Sequence, residues 1–186
     1  MVFQWHPFIK YPDNTRGDSL CEEAEKMSKN DDKAFDATVT LSDGSELLLS
    51  DLWKKQPLVL IFLRHLGWAF CRQQVAQLRL KKQHFDQAGA QVVLVGMGTP
   101  EESAAFEMKF DIPFPLISDP KRKLYRAFGL KQVSTLGLLS PYVAIKGLLA
   151  MSKGHTIGVP IGDVRQLPGV FIINTEGRIV YQYFFI

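Results

Sequence analysis

Six consecutive apolar residues, Leu58-Val59-Leu60-Ile61-Phe62-Leu63, constrain the fold of this chain more than any other stretch. A strand with one wet face alternates apolar and polar residues. An unbroken run suits a strand covered on both faces, as in a parallel sheet. Pro57 precedes the run, and Arg64-His65-Leu66-Gly67-Trp68-Ala69-Phe70-Cys71-Arg72 follows it. That continuation reads as a short loop and the first turn of a helix. A cysteine in a first turn lies near unpaired backbone N–H groups and the positive dipole end, which lower its pKa and favour the thiolate. Arg64 and Arg72 lower it further, so Cys71 is a candidate nucleophile. The competing reading is a free cysteine beside Phe70 and Val75 that serves only as inert packing.

Composition sets the outer limits. A chain of 186 residues with 46% hydrophobic and 22% charged side chains is expected to be one soluble domain with a sizeable core. The net charge is +3. Its cations fall in short groups, Lys54-Lys55, Lys81-Lys82 and Lys121-Arg122-Lys123, rather than in the dense stripe of a nucleic-acid surface, so no nucleic-acid partner is expected. Two cysteines are too few for a disulfide framework and fit a reducing compartment. Met1–Pro7 lacks the basic start and apolar core of a signal peptide. The apolar window Val133–Met151 is interrupted by Gly137, Pro141, Lys146 and Gly147, so no membrane span is expected. The expected location is cytoplasmic, and no metal or cofactor is expected.

Along the chain, residues 1–34 read as an N-terminal extension. It is irregular to Gly17, followed by a short charged helix over 20–29 opened by a Ser19/Glu22 capping box, with Cys21 in its first turn. Residues 35–186 form the main domain. Ala37–Leu41 and Glu46–Leu49 alternate as strands around the turn Ser42-Asp43-Gly44-Ser45. Ser50-Asp51-Leu52-Trp53 caps a helical turn. After Cys71, a stripe of Val75, Leu78 and Phe85, with Leu80 as a further candidate, predicts one helix ending at Ala88-Gly89. Gln91–Gly96 is a second buried strand. Thr99-Pro100-Glu101-Glu102 opens a helix carrying Ala105, Phe106 and Phe110. Pro113–Asp119 is extended, and Asp119-Pro120 opens a helix through Leu124, Tyr125 and Phe128 to Gly129.

Residues 131–165 read as a helical insertion, opening at Ser140-Pro141 and closing at Gly154. With Tyr142, Val143, Ile145, Leu148, Leu149 and Met151 it has little polar face, which suits core or inter-subunit packing and leaves a homodimer open. Pro168–Asn174 and Arg178–Tyr183 then form a hairpin about Thr175-Glu176-Gly177. The order ββ, βαβα, insertion, ββ predicts an α/β fold with a mixed central sheet and helices on both faces.

Two further features bear on chemistry. Two cysteines at i and i+3 on a strand-to-helix turn close a redox disulfide; here Cys71 occupies the fourth place and Trp68 the first, so no internal disulfide forms at the turn. Pro168 heads the last but one strand, where a proline needs a reason. A cis bond there would bring backbone beside the nucleophile; an ordinary trans proline is the alternative.

These residues resemble a family. The layout is similar to the thioredoxin fold as used by peroxiredoxins, the alkyl hydroperoxide reductase/thiol-specific antioxidant superfamily, and to its peroxiredoxin-like branch with an Arg-His-Phe-Gly-Cys-x-x-Cys-Arg type of motif. The matching stretches are Arg64–Arg72, Asp119–Gly129, Ser140-Pro141, Gly162-Asp163 and Leu167–Ile172, within a coverage of roughly Phe35 to Tyr183. The resemblance implies thiol-dependent reduction of a peroxide, or of an endoperoxide in one branch. Cys71 falls on the peroxidatic cysteine. Trp68 falls on the threonine that binds peroxide in ordinary peroxiredoxins, or on the first cysteine of the CxxC branch, and Arg64 falls on their proline. An external thiol, thioredoxin or glutathione, is the implied reductant, with Cys21 as a candidate resolving partner. Arg64, Trp68, Arg72 and Pro168 are the candidate supporting residues. The family's last hairpin is normally covered by a helix; here the chain closes on Tyr183-Phe184-Phe185-Ile186, so segment 1–34 or 131–165 is expected to cover it, or the sequence is truncated. The rival to a peroxidase is a non-catalytic thioredoxin-fold interaction module, with Trp68 and the apolar insertion as its surface.

Overall fold

The computed structural model describes residues 33–64, 66, 69–133 and 162–184, with the side chains of 69–73 outside the description. All of these belong to the unit Asp32–Ile186. The helices expected over 20–29 and from Ser140-Pro141 lie outside the described residues, as do Cys21 and Trp68.

Seven strands form one sheet in the order β2-β1-β5-β4-β3-β6-β7. They are β1 (Thr38–Leu41), β2 (Glu46–Leu48), β3 (Leu58–Phe62), β4 (Gln91–Gly96), β5 (Leu116–Ser118), β6 (Gly169–Ile173) and β7 (Ile179–Phe184). The sheet is mixed, as the element order predicts. β3 runs parallel to β4, with Leu60 opposite Val93, and β4 parallel to β5, with Val95 opposite Ile117. β6 lies antiparallel to β3, with Phe62 opposite Gly169, and β1 antiparallel to β5. The unbroken apolar run thus takes the centre of the sheet, where every residue of β3 is buried.

Successive strand residues point to opposite faces. Leu58, Leu60 and Phe62 join Val93, Val95, Phe171 and the side chains of Leu124, Tyr125 and Phe128 in one core cluster. Phe62 is its hub: its ring lies 4.9 Å from Tyr125, 5.3 Å from Phe128 and 5.6 Å from Phe171. The pairs with Tyr125 and Phe171 are edge-on, and such pairs each contribute roughly 0.5–1.5 kcal/mol beyond area burial. Val59, Ile61, Val92 and Leu94 bury the other face.

Four α-helices are described: α1 (Ala69–Leu80), α2 (Lys82–Gln87), α3 (Pro100–Phe110) and α4 (Lys123–Ala127). Thr99 and Glu102 close the capping box of α3, with Pro100 in its first turn, as the Thr-Pro-Glu-Glu pattern predicts. Two helical expectations need correction. The single helix expected to Ala88-Gly89 is broken at Lys81, whose φ of −99° and ψ of 5° leave helical geometry and separate α1 from α2. The helix expected from Asp119-Pro120 begins only at Lys123, because Arg122 takes a left-handed φ of 54°. Asp119 caps it from a distance, accepting the N–H groups of Lys123 and Leu124 at 2.8 Å each. Ser50–Trp53 forms its turn one residue early, as a 3-10 turn over Leu49–Leu52.

Candidate active site

The parallel strands β3, β4 and β5 all end at the same edge of the sheet. In open α/β sheets that carboxyl edge is where crevices and chemistry lie. β3 ends at Phe62, and the chain passes Leu63 and Arg64 before α1 begins at Ala69. Cys71 is in the first turn of α1, and Arg72 follows it. The N–H groups of a helix's first turn have no intrahelical acceptor.

The junction is built from both sides. Leu63 donates its N–H to the carbonyl of Val95 at 2.9 Å. The Tyr125 hydroxyl, from α4, donates toward the Leu63 carbonyl at 2.5 Å and lies 3.0 Å from that of Val95. Tyr125 is fully buried, so these two strand-end carbonyls have a partner where no water reaches. Leu66 packs against the end of β4, within 3.1 Å of where a Cβ on Gly96 would sit.

Arg64 leaves this junction sideways. Its Nε and Nη2 both donate to the carbonyl of Val164, at 3.1 and 2.9 Å. That contact brings the β3 end to the loop that leads into Pro168 and β6. Pro168 is half-buried just ahead of Gly169, the partner of Phe62. No cis peptide bond occurs among the described residues, so Pro168 follows an ordinary trans bond. A Cβ on Gly169 would lie 2.6 Å from Leu130 Cδ2 and 3.2 Å from the Tyr183 carbonyl, so a side chain there would have to displace Leu130. Of the residues singled out from sequence, Arg64 and Pro168 flank one loop and Cys71 and Arg72 lie in the adjoining helical turn; Trp68 lies outside the description.

Sequence reasoning missed the charges behind that loop. The Asp163 carboxylate accepts from Arg122 Nη1 at 2.7 Å, Arg165 Nη2 at 2.9 Å and Gln132 Nε2 at 3.1 Å. Hydrogen bonds from the Arg165 side chain, helped by its backbone N–H and by the charges of Arg165 and Arg122, hold this carboxyl well below the usual range against the opposing effect of burial. Asp119, 6% exposed, behaves oppositely: burial pushes its pKa up, while the N–H groups of Lys123, Leu124 and Tyr125 oppose the rise. Only the Gly162-Asp163 pair hinted at this knot, since its partners are scattered along the chain.

A cleft of about 490 Å³ opens between β1 and the turn after β5, lined by Thr38, Val39, Ser118, Asp119, Lys121 and Lys123 among others. Neither Arg64 nor Pro168 lines it, so it is separate from the strand–helix junction. Among the described residues no group of three or more His, Cys, Asp or Glu side chains is gathered to hold a metal ion. No helix among them is long and apolar enough to cross a membrane.

Comparison with known proteins agrees with this geometry. Residues 31–182 match the AhpC/TSA family. The thioredoxin-like protein AAED1, chloroplastic, of Arabidopsis thaliana is 33% identical over 60% of this chain, and the match spans 45% of that protein's length. The prostamide/prostaglandin F synthase of Salmo salar is 30% identical over 76% of this chain and 72% of its own. Among solved structures, the peroxidoxin BcpB of Mycobacterium tuberculosis superposes with a TM-score of 0.62 at 18% identity, over 82% of this chain and 83% of that one. That likeness fixes the fold as thioredoxin-like.

Proposed function

The chain belongs to the AhpC/TSA family, and from that premise we propose that it is a peroxiredoxin-like thiol peroxidase working through Cys71 alone. The observation that carries the proposal is the place of Cys71 in the first turn of α1, directly after the central strand. Arg64, tied to Val164 at the same strand end, contributes a positive charge that favours the thiolate.

In the proposed reaction the Cys71 thiolate attacks one oxygen of the O–O bond. The S–O bond forms as the O–O bond breaks, giving a sulfenic acid and an alkoxide that takes a proton to leave as the alcohol. An external thiol then displaces water from the sulfenic sulfur, forming a mixed disulfide. A second thiol releases Cys71 and leaves as the oxidised disulfide. With Trp68 in place of a cysteine, both reducing equivalents come from outside, from thioredoxin or glutathione in a reducing compartment such as the cytoplasm. In an endoperoxide the same attack would leave one oxygen bound to sulfur as a sulfenate ester and the other as an alkoxide that takes a proton; the external thiol then displaces the ester oxygen from sulfur, giving a diol and the mixed disulfide. The match to the AhpC/TSA family, the alkyl hydroperoxide reductase/thiol-specific antioxidant superfamily, supports a peroxide rather than a protein disulfide as the electron acceptor.

The test is a thiol count after one equivalent of hydroperoxide, on the parent and on Cys21→Ser. Loss of one thiol in both, with a sulfenic-acid trap adding to Cys71, is the expected result. An unmodified Cys71 would remove the peroxidase and leave the non-catalytic module.

A further inference from the structure

The contact that anchors Arg64 leads into a charge knot to which the peroxidase reading gives no task. Val164, whose carbonyl takes both guanidinium donors, is held on either side. On one side Asp163 accepts from Arg122, Arg165 and Gln132, and also from the Arg165 backbone N–H at 2.9 Å. Gly162 before it has a φ of 101°, and a Cβ there would fall 2.7 Å from Met97 Cβ. On the other side the Arg165 carbonyl accepts the Val133 N–H at 2.8 Å, and the Leu167 N–H donates to Lys131 at 3.1 Å. The buried Gln166 amide adds a bond to the Lys131 carbonyl at 3.1 Å. Val164 cannot shift without breaking several of these.

A half-buried ion cluster is a weak source of net stability, because desolvation offsets most of the attraction between its charges. What it supplies reliably is a fixed position. Here the position fixed is that of one carbonyl, and the group resting on that carbonyl is Arg64.

We propose that Asp163 is a positioning residue for Arg64: by fixing the Val164 carbonyl it holds the guanidinium at the end of β3, at the start of the segment that carries Cys71. The proposal rests on the peroxidase reading, which gives Arg64 the task of favouring the Cys71 thiolate. It goes beyond that reading by giving the task's control to a residue from a different loop.

Two effects of opposite sign make the proposal testable. Asp163→Asn deletes a negative charge, and through space alone this makes the region more positive and the Cys71 thiol more acidic. If Asp163 acts by position, the loosened loop weakens the hold of Val164 on Arg64 and the thiol becomes less acidic.

The experiment uses the full chain with Cys21→Ser, so that Cys71 is the sole thiol. The rate of alkylation by iodoacetamide is followed against pH for this parent, for Asp163→Asn, for Arg64→Gln and for the double variant. Arg64→Gln is expected to raise the midpoint. Asp163→Asn is expected to raise it by about half a pH unit, a roughly threefold loss of thiolate below the midpoint. The double variant is expected to match Arg64→Gln, since a residue acting through another adds nothing once that other is gone. A midpoint that falls or stays put with Asp163→Asn, or that moves equally in both backgrounds, overturns the positioning role while leaving the peroxidase reading intact. If Arg64→Gln itself moves nothing, the reading loses its electrostatic element and the positioning role falls with it. Should Asp163→Asn not fold, Arg122→Gln replaces it in the same cycle; its shift must vanish in the Arg64→Gln background, and a shift that persists overturns the proposal.

Discussion

The Tyr125 hydroxyl meets the carbonyl oxygen of Leu63 at 2.5 Å, so a side chain of helix α4 closes the end of the central strand one residue before Arg64. Tyr125→Phe keeps the ring against Phe62 and removes the hydroxyl. The Leu63 carbonyl then loses a buried donor, while that of Val95 keeps the Leu63 N–H, at a cost of about 1–2 kcal/mol. Urea unfolding followed by far-UV circular dichroism measures the loss. A change below a few tenths of a kcal/mol would mean that the hydroxyl contributes nothing net.

Gly169→Ala probes the packing where β6 enters the sheet. The added methyl would meet Leu130 Cδ2 at 2.6 Å and the Tyr183 carbonyl at 3.2 Å. One side chain and one backbone must move, and the expected loss is about 1–3 kcal/mol in thermal or urea unfolding. A variant as stable as the parent would show that Leu130 has an alternative rotamer at no cost.

Asp163→Asn has a pH signature in stability that is separate from its effect on the thiol. The folded-state pKa of Asp163 is depressed, so its contribution is fully present above the unfolded value and is lost as pH falls through the folded one. At pH 7 the variant is expected to unfold about 1–3 kcal/mol more easily than the parent, with the gap narrowing progressively below pH ~3.9. Parallel urea titrations between neutral and acid pH measure it; a gap independent of pH would mean that packing, not charge, causes the loss.

Cys71→Ser is expected to abolish hydroperoxide consumption, and Cys21→Ser to preserve it. Coupled oxidation of an external thiol gives the rate. If Cys21→Ser removed turnover but left the first oxidation of Cys71, Cys21 would be the resolving cysteine and the external thiol would act one step later.

Trp68→Cys restores a pair of cysteines at i and i+3. On mild oxidation the variant is expected to lose both thiols to an internal disulfide and to gain insulin-reducing activity that the parent lacks. Peroxide consumption by the parent alone, with no insulin reduction, is the pattern that a single-cysteine site requires.

The sheet was legible because its strands carry local patterns. The apolar runs of β3 and β4 mark strands covered on both faces, and Thr99-Pro100-Glu101-Glu102 carries its whole capping box within four residues. The breaks were less legible. Nothing in the apolar spacing stops a helix at Lys81, and Asp119-Pro120 looks like a helix start until Arg122 turns left-handed. At the site, Arg64 stands out in sequence by its charge, but its partner is a backbone carbonyl, a group that every residue possesses. The Asp163 knot draws on Arg122, Gln132 and Arg165, whose meeting depends on tertiary structure rather than on spacing.

The pairing of β3 with β6 joins segments more than a hundred positions apart, Leu58 to Ile173 and Phe62 to Gly169. Contacts of such long range form late, because the intervening chain must first be ordered. A nascent polypeptide made only as far as β5 already contains Cys71, yet it lacks the carbonyl on which Arg64 rests. Arg64 therefore gains this partner only after the loop through Val164 has been synthesised and docked, so a ribosome-bound intermediate carries Cys71 before the Arg64 contact can form.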